Sequence, residues 1–452
     1  MIGRRRAEIA IAAVLTGCTG GAAGHQQPHV ARSPGGVDFR VSCSQPAQAE
    51  FNRSVALLHH MTYPQAREGF RRVAALDSTC AMAQWGIAMT FFQPLWPLRP
   101  GLAEREQGWN AAQAATALDP PTVRERLFVA QVEAFFLNPS SPDYWLRIRR
   151  WAQASEVTYD SLPNDDEAAA FYALSLLATA PSDTMTRAHA DRAAEILLAL
   201  HERNPQHPGA MHYLVHANDM PGREHQSLDV THEYETIAPD NPHALHMPTH
   251  IYTRLGDWDG VVRGNLRAAA AALRFPAGDS DQYVTDEFPH AIEYLVYAYL
   301  QTGADSDARA QVARLRSTAH LEPTFKTAFH LMSTQARVAL EERDWRAATM
   351  IVPREPSTLD WDRFAWAEAV AQFARGLGAA HLGQADVAAA SDARLGALEG
   401  TMIAAGEDLF ARNIRQLRLE LQSWRAHVDG RTDSSIALMQ AAIDLELTTP
   451  KN

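Results

Sequence analysis

Residues 51–89 read FNRSVALLHHMTYPQAREGFRRVAALDSTCAMAQWGIAM, and their spacing decides the fold. One helix runs through Leu57 and Leu58, Ala66, Phe70 and Val73 share a face of the next, and Trp85-Gly86-Ile87-Ala88 follows on a third. Apolar residues three and four apart fall on one stripe of a 3.6-residue helix, and burial of that stripe stabilises the segment in water. The same period recurs from about Gln45 onward, with Gly or Pro between the periodic stretches. No segment alternates convincingly with the period of two that a half-buried strand requires. The chain therefore reads as a succession of helices.

Small Gly or Ala, a large aromatic and Ala at these offsets resemble the tetratricopeptide pattern, in which small residues let paired helices approach. Turn signatures continue it at Leu255-Gly256-Asp257-Trp258, Gln301-Thr302-Gly303-Ala304, Glu342-Arg343-Asp344-Trp345 and Leu382-Gly383-Gln384-Ala385. Each lies between two periodic stretches, and together with the N-terminal pair they exceed the roughly three stacked units that a solenoid needs. The expected fold is all-α, a tetratricopeptide-like helical-hairpin solenoid, curved and continuous over residues 45–450, with irregular repeats. The concave face of such an array is its usual binding surface, which suits a small-molecule or peptide ligand.

Ahead of this body, Arg4, Arg5 and Arg6 precede a short apolar run from Ile9 to Leu15, the pattern of a signal peptide over residues 1–17. Leu15-Thr16-Gly17-Cys18 resembles a bacterial lipobox, whose Cys is acylated and becomes the new N-terminus. The alternative is a plain secretory signal with an incidental Cys. Both readings export the chain, and a lipidated Cys18 would hold it on a membrane, facing the periplasm or the cell exterior. Residues 18–44 are rich in Gly, Pro, Gln and Ser as far as about Asp38, which predicts a flexible tether. Cys43 and Cys80 then remain as an even pair in an oxidising compartment, so a disulfide between them is expected, with two buried free thiols as the alternative.

The 452 residues carry a net charge of −12 with acidic and basic side chains interleaved, so no basic stripe offers itself to nucleic acid. No run approaches the roughly 18 apolar residues of a membrane-spanning helix. Motifs for a nucleophilic serine elbow, a phosphate loop or a dinucleotide site are lacking.

What stands out chemically is histidine. Nine of the 19 fall between His201 and His250, where an even spread would give about two. In His207-Pro208-Gly209-Ala210-Met211-His212-Tyr213-Leu214-Val215-His216, Pro208 suits a first helical turn, and His212 and His216 lie one turn apart on one face. Two imidazoles at that spacing can grip one metal ion. Asp219 is placed to be a third ligand or the acceptor that fixes an imidazole tautomer. In His243-Ala244-Leu245-His246-Met247-Pro248-Thr249-His250 the histidines again share a helical face, and Pro248 predicts a kink or a helix start near Met247. His59, His60 and His290 are candidates to complete the site from other helices, while His207, His243 and Tyr213 stand as supporting residues. His201, His225 and His232 lack the pairing and read as ordinary. A buried hydrogen-bonded histidine network is the competing explanation of the cluster.

Nitrogen ligation with a carboxylate nearby suits copper, zinc or iron rather than calcium or magnesium. A zinc-protease mechanism is disfavoured, because Tyr213 occupies the place of the general-base glutamate in an HExxH motif.

Four blocks resemble a group of bacterial secreted or lipoprotein tetratricopeptide-like proteins of mostly unassigned function, with paired HxxxH motifs. These are Leu57-Leu58-His59 through Tyr63 and Ala66, Cys80 to Met89 with Pro94-Leu95-Trp96, HPGAMHYLVHANDMP at 207–221, and HALHMPTHIYTRLGDW at 243–258. The resemblance implies a shared inner site built from His59, His212, His216, His246, His250 and His290, and it implies no settled reaction. Relatives commonly carry a His before the Pro-Leu-Trp triplet where this chain has Gln93, which would alter the site if that His were a ligand.

Overall fold

The computed structural model describes residues 34–96, 99–180, 186–277 and 280–449. The expected signal peptide, Cys18 and the first part of the expected tether lie outside them. Among the described residues twenty-one α-helices follow in chain order. They are α1 (Gln45–His59), α2 (Tyr63–Leu76), α3 (Ala81–Met89), α4 (Leu102–Ala117), α5 (Val123–Phe136), α6 (Tyr144–Ser161) and α7 (Asp166–Thr179). Then come α8 (Thr186–Arg203), α9 (Pro208–Asn218), α10 (Leu228–Ile237), α11 (Pro242–His246), α12 (Pro248–Leu255), α13 (Trp258–Ala272) and α14 (Glu287–Gln301). The last seven are α15 (Asp305–Ser317), α16 (Phe325–Glu341), α17 (Trp345–Met350), α18 (Ala365–His381), α19 (Ala385–Ala404), α20 (Asp408–Val428) and α21 (Thr432–Leu447).

Helices adjacent in sequence pack on one another along the body, and alternate helices such as α14 with α16, α16 with α18 and α18 with α20 also touch. That double relation is what stacked hairpins produce, and the fold is an all-α helical-hairpin array of tetratricopeptide type. Close packing dictates the small residues: a Cβ on Gly86 of α3 would stand 2.3 Å from the ring of Phe70 on α2. The four turn signatures each place one residue in the left-handed region, Gly256, Gly303 and Gly383 at φ 71° and Arg343 at φ 52°. Such a residue ends a helix by bending the chain where its last carbonyls need partners.

Two details depart from the periodicity. A short antiparallel hairpin joins β1 (Pro276–Ala277) to β2 (Ser280–Val284), and Val284 also bridges to Leu321, its N–H donating to the His320 carbonyl at 2.8 Å. Pro248 does start a helix, yet Met247 keeps helical dihedrals (φ −54°, ψ −41°), so α12 follows α11 with the chain barely interrupted.

Residues 34–44, read from composition as the end of a tether, are packed instead. Phe39 is fully buried, its ring centroid 5.3 Å from that of Phe51, 5.4 Å from Trp85 and 4.7 Å from Phe128. One large apolar side chain, with the Gly36 N–H donating to the Gln206 carbonyl at 2.8 Å, holds a segment whose average composition is that of a linker. Cys43 ends this strap in a disulfide to Cys80, with Cα atoms 5.1 Å apart. Reducing it should cost about 3 to 4 kcal/mol by releasing a closed loop in the unfolded chain. Urea denaturation with and without reductant reads this directly, and coincident curves would refute it. Among the described residues no helix is long and apolar enough to cross a membrane.

Candidate metal centre

The site is assembled from helix ends. His207 caps α9, its Nδ1 accepting from the Ala210 N–H at 3.1 Å, and Pro208 fills the first turn. This starts the helix so that His212 and His216 face inward one turn apart, their Nε2 atoms 3.2 Å from each other. Asn241 caps α11 through the Ala244 N–H. Because α12 continues α11 across Met247, His246 and His250 also end up one turn apart, with Nε2 atoms separated by 3.0 Å. The two pairs adjoin, the ring centroids of His216 and His250 being 6.2 Å apart. His290 of α14 completes the group, 4.2 Å from His246 between ring centroids.

Hydrogen bonds fix which nitrogen carries the proton in the rings of this group other than His216. His212 Nδ1 lies 2.6 Å from the His59 carbonyl, which can only accept. His250 Nδ1 lies 2.8 Å from the Asp219 carboxylate, itself paired with Arg254. His246 Nδ1 lies 2.8 Å from Asn265 Oδ1; the amide nitrogen of Asn265 gives its hydrogens to the Val261 carbonyl and to Thr249 Oγ1, so the oxygen must face the histidine. Further out, His330 donates Nδ1–H to Glu293, leaving its Nε2 to accept from His290 Nδ1 at 3.0 Å. His243 donates Nδ1–H to Glu287 at 3.2 Å, and its buried Nε2 has no partner. Five imidazoles thus have their protons committed to outward acceptors, and their Nε2 lone pairs remain in one buried region.

Burial favours the neutral form of four of these rings. It drives His212, His246 and His290 well below the ordinary value of 6.5, with neighbouring imidazoles adding to the effect, and lowers His216 to about 3. Asp219 would rise through burial, but His250 and Arg254 hold it below the usual carboxylate range. Tyr294 closes one side, its hydroxyl 3.4 Å from both His250 nitrogens. One nitrogen from each of His246, His250 and His290 lies within 4.8 Å of the others, as three ligands of one ion require.

His59 stands apart from this set. Its Nε2 is 2.7 Å from Glu167, its Nδ1 accepts from the Tyr213 hydroxyl at 3.0 Å, and Glu167 also accepts from His207 Nε2 at 3.3 Å. His59, Glu167 and His207 form a second trio of ligand atoms within 4.8 Å, all three residues buried. Both His59 nitrogens are engaged, and His207 Nε2 must carry a proton because its Nδ1 accepts from Ala210. This trio is therefore a closed hydrogen-bond network that touches the first set through the His59 carbonyl.

His60 is a latch for the strap, donating Nε2–H to the Pro34 carbonyl at 2.7 Å and accepting from the Tyr234 hydroxyl at 2.7 Å. Burial lowers it to about 3 from 6.5. A folded-state pKa depressed below the unfolded one means the unfolded chain takes up more protons as the pH falls. Stability is then full above about 6.5 and drains below it, by about 2 kcal/mol from His60 alone between about pH 7.5 and about pH 5. Urea midpoints at the two pH values measure it, and an unchanged or higher midpoint at the lower pH would contradict the burial of a neutral His60.

Gln93 lines a cavity of about 370 Å³ that also has His290 and His330 in its wall. Neither Glu167, Glu287, Glu293, Asn265 nor His330 is marked by a local motif; each acts by arriving from a distant helix. Asp219, His207, His243 and Tyr213 are the supporting residues named from the sequence; Asp219 meets His250 Nδ1 at 2.8 Å, and the His243 ring lies 5.1 Å from that of His212.

No protein-family profile matches the chain, and no curated protein matches it. Among solved structures it is similar to the human IFIT1 dimer with PPP-AAAA, at 11% identity over 88% of this chain and 73% of that one, with a TM-score of 0.35. It is also similar to a chain of Naa15/Naa10 bound to HypK-THB, at 12% identity over 87% of this chain and 63% of the other, with a TM-score of 0.24. Likenesses as loose as these bear on neither fold nor function.

Proposed function

We propose that the chain binds a transition-metal ion, copper, zinc or iron, through His246, His250 and His290, with His212, His216 and His243 alongside, and acts on a small molecule as a metal-dependent enzyme. One observation carries the reading. The Nε2 atoms of His246 and His250 face each other at 3.0 Å while both Nδ1 protons are committed elsewhere. Two lone pairs at that distance repel unless a cation lies between them. A proton is the alternative occupant: burial strongly disfavours it on His246, and on His250 it would have to share the Asp219 carboxylate that Arg254 already pairs with. Nitrogens bound at about 2.05 Å to one tetrahedral ion lie about 3.3 Å apart, close to the separations in both pairs.

Asp219, Asn265, Glu287 and the His330–Glu293 couple would orient the ligand rings and keep their tautomers. A bound ion would supply Lewis acidity or, for copper or iron, electron transfer. Lipid anchoring at Cys18 and export to the periplasm or cell exterior belong to the same reading, and the Cys43–Cys80 disulfide supports an oxidising compartment.

Elemental analysis of the purified chain tests the proposal, with about one transition-metal ion per chain expected. Asp219→Asn should weaken binding by about 10- to 100-fold, as loss of an orienting carboxylate does. A chain without bound metal, unable to take any up from solution, would end the reading. The helical-hairpin array favours a second one, a non-enzymatic peptide-binding scaffold with structural histidines. It would be preferred if partner capture persisted in a metal-free chain altered at both His212 and His246.

A further inference from the structure

The cavity beside the histidines is lined by two unlike sets of residues. Trp96, Phe325, Phe329, Trp366 and Phe410 are the first. Phe329 lies nearly parallel to Phe325 and to Trp366, and Trp366 to Phe410, with interplanar angles of 19°, 18° and 26°. These rings come from α16, α18, α20 and the loop after α3, so separate helices build the aromatic wall together. At about 370 Å³ the space falls within the range of small-molecule sites.

The second set is Asp286, Glu287 and Glu322 against one cation, Lys326. Lys326 Nζ is already shared between Glu287 at 2.5 Å and Asp286 at 3.2 Å, and it lies 4.1 Å from the centre of the Trp96 ring. Glu322 is brought here by the Val284–Leu321 bridge, its Oε2 accepting from the Asp286 N–H at 3.1 Å. Burial and the neighbouring Asp286 push Glu322 up to about 7, the behaviour of a carboxylate without a cation of its own. Three acids facing one base repel an anionic ligand and favour a cationic one, and aromatic faces attract cations further.

We propose that this cavity binds a small arylalkylamine as its ammonium ion, the ring among Trp96, Phe329 and Trp366 and the nitrogen beside Glu322, and that such an amine is the substrate of the adjoining metal site. The second half rests on the metal reading above, through His290 and His330 in the cavity wall. The binding half stands on the cavity alone.

The test titrates the full chain with 2-phenylethylamine, 2-phenylethanol and 3-phenylpropionate, reading tryptophan fluorescence and calorimetric heat at neutral pH. The ammonium should bind about tenfold or more tighter than the alcohol, and the carboxylate should not saturate. Glu322→Gln should bring the amine to the level of the alcohol, and Trp366→Ala should weaken both. Ranking of the three probes on the unaltered chain needs no variant to fold. Equal or tighter binding of the alcohol or the carboxylate, or no saturable binding at all, overturns the proposal. The His246→Ala, His250→Ala chain should still bind the amine, which keeps failure of the metal reading distinct from failure of the cavity reading. For the substrate half, saturating amine should shift the visible absorption of the copper-loaded chain and leave that of loaded Trp366→Ala unmoved at the same concentration. An unmoved spectrum of the loaded unaltered chain under saturation would remove the amine as substrate.

Discussion

Joint replacement of His246 and His250 by Ala is expected to reduce bound metal from about one ion per chain to background, a loss well beyond the roughly 100-fold ceiling for altering a supporting residue. His246 is central to the cluster: its ring centroid lies within 6.1 Å of those of His243, His250, His290 and Tyr294. Removing both rings leaves His290 with no nitrogen close enough to share an ion in the trio of which it is part. Truncating the buried His246 also leaves space, costing about 2 to 5 kcal/mol, so circular dichroism must show that the variant remains folded. His225→Ala, at an exposed and unpaired histidine, should leave metal content unchanged. Unaltered metal in the double variant would move the ion elsewhere and sink the assignment.

The paired histidines and the left-handed turns were legible because both are local. An i, i+4 spacing fixes a shared helical face whatever surrounds it, and a Gly followed by Asp-Trp or Gln-Ala ends one helix and begins another. Arg343 shows that the turn position, rather than glycine itself, carries the signal. The partners that orient the rings were illegible for the opposite reason. Asn265, Glu287 and His330 meet His246, His243 and His290 from 19, 44 and 40 residues away. No periodicity marks which polar residue of a helix will face a buried imidazole. Composition also misjudged residues 34–44, because an average over a Gly- and Pro-rich stretch hides what one buried Phe39 can do. The role of His59 was hidden similarly, since adjacency to the motif blocks says nothing of Glu167, 108 residues away.

Glu167→Ala is the complementary experiment, expected to cost about 3 to 5 kcal/mol of stability while leaving metal content intact. Glu167 lies in the first turn of α7, buried, with His59 Nε2 and His207 Nε2 both on its carboxylate. Burial alone would raise it, but the two imidazoles hold it well below the usual carboxylate range. Removing the carboxylate strands two imidazole N–H groups in a dry interior, and each such orphan costs about 1 to 3 kcal/mol. His207 cannot relieve this by changing tautomer, because its Nδ1 is needed by the Ala210 N–H at the start of α9. His59 is confined as well: a Cβ on Gly209 would already stand 2.6 Å from its Nδ1. Glu167→Gln keeps one acceptor oxygen and should fall between the unaltered chain and the Ala variant. Urea denaturation with parallel elemental analysis separates the two trios. Retained metal with lost stability fits a hydrogen-bonded network that positions His212 through the His59 carbonyl, whereas lost metal with retained stability would make His59, Glu167 and His207 the ligands instead.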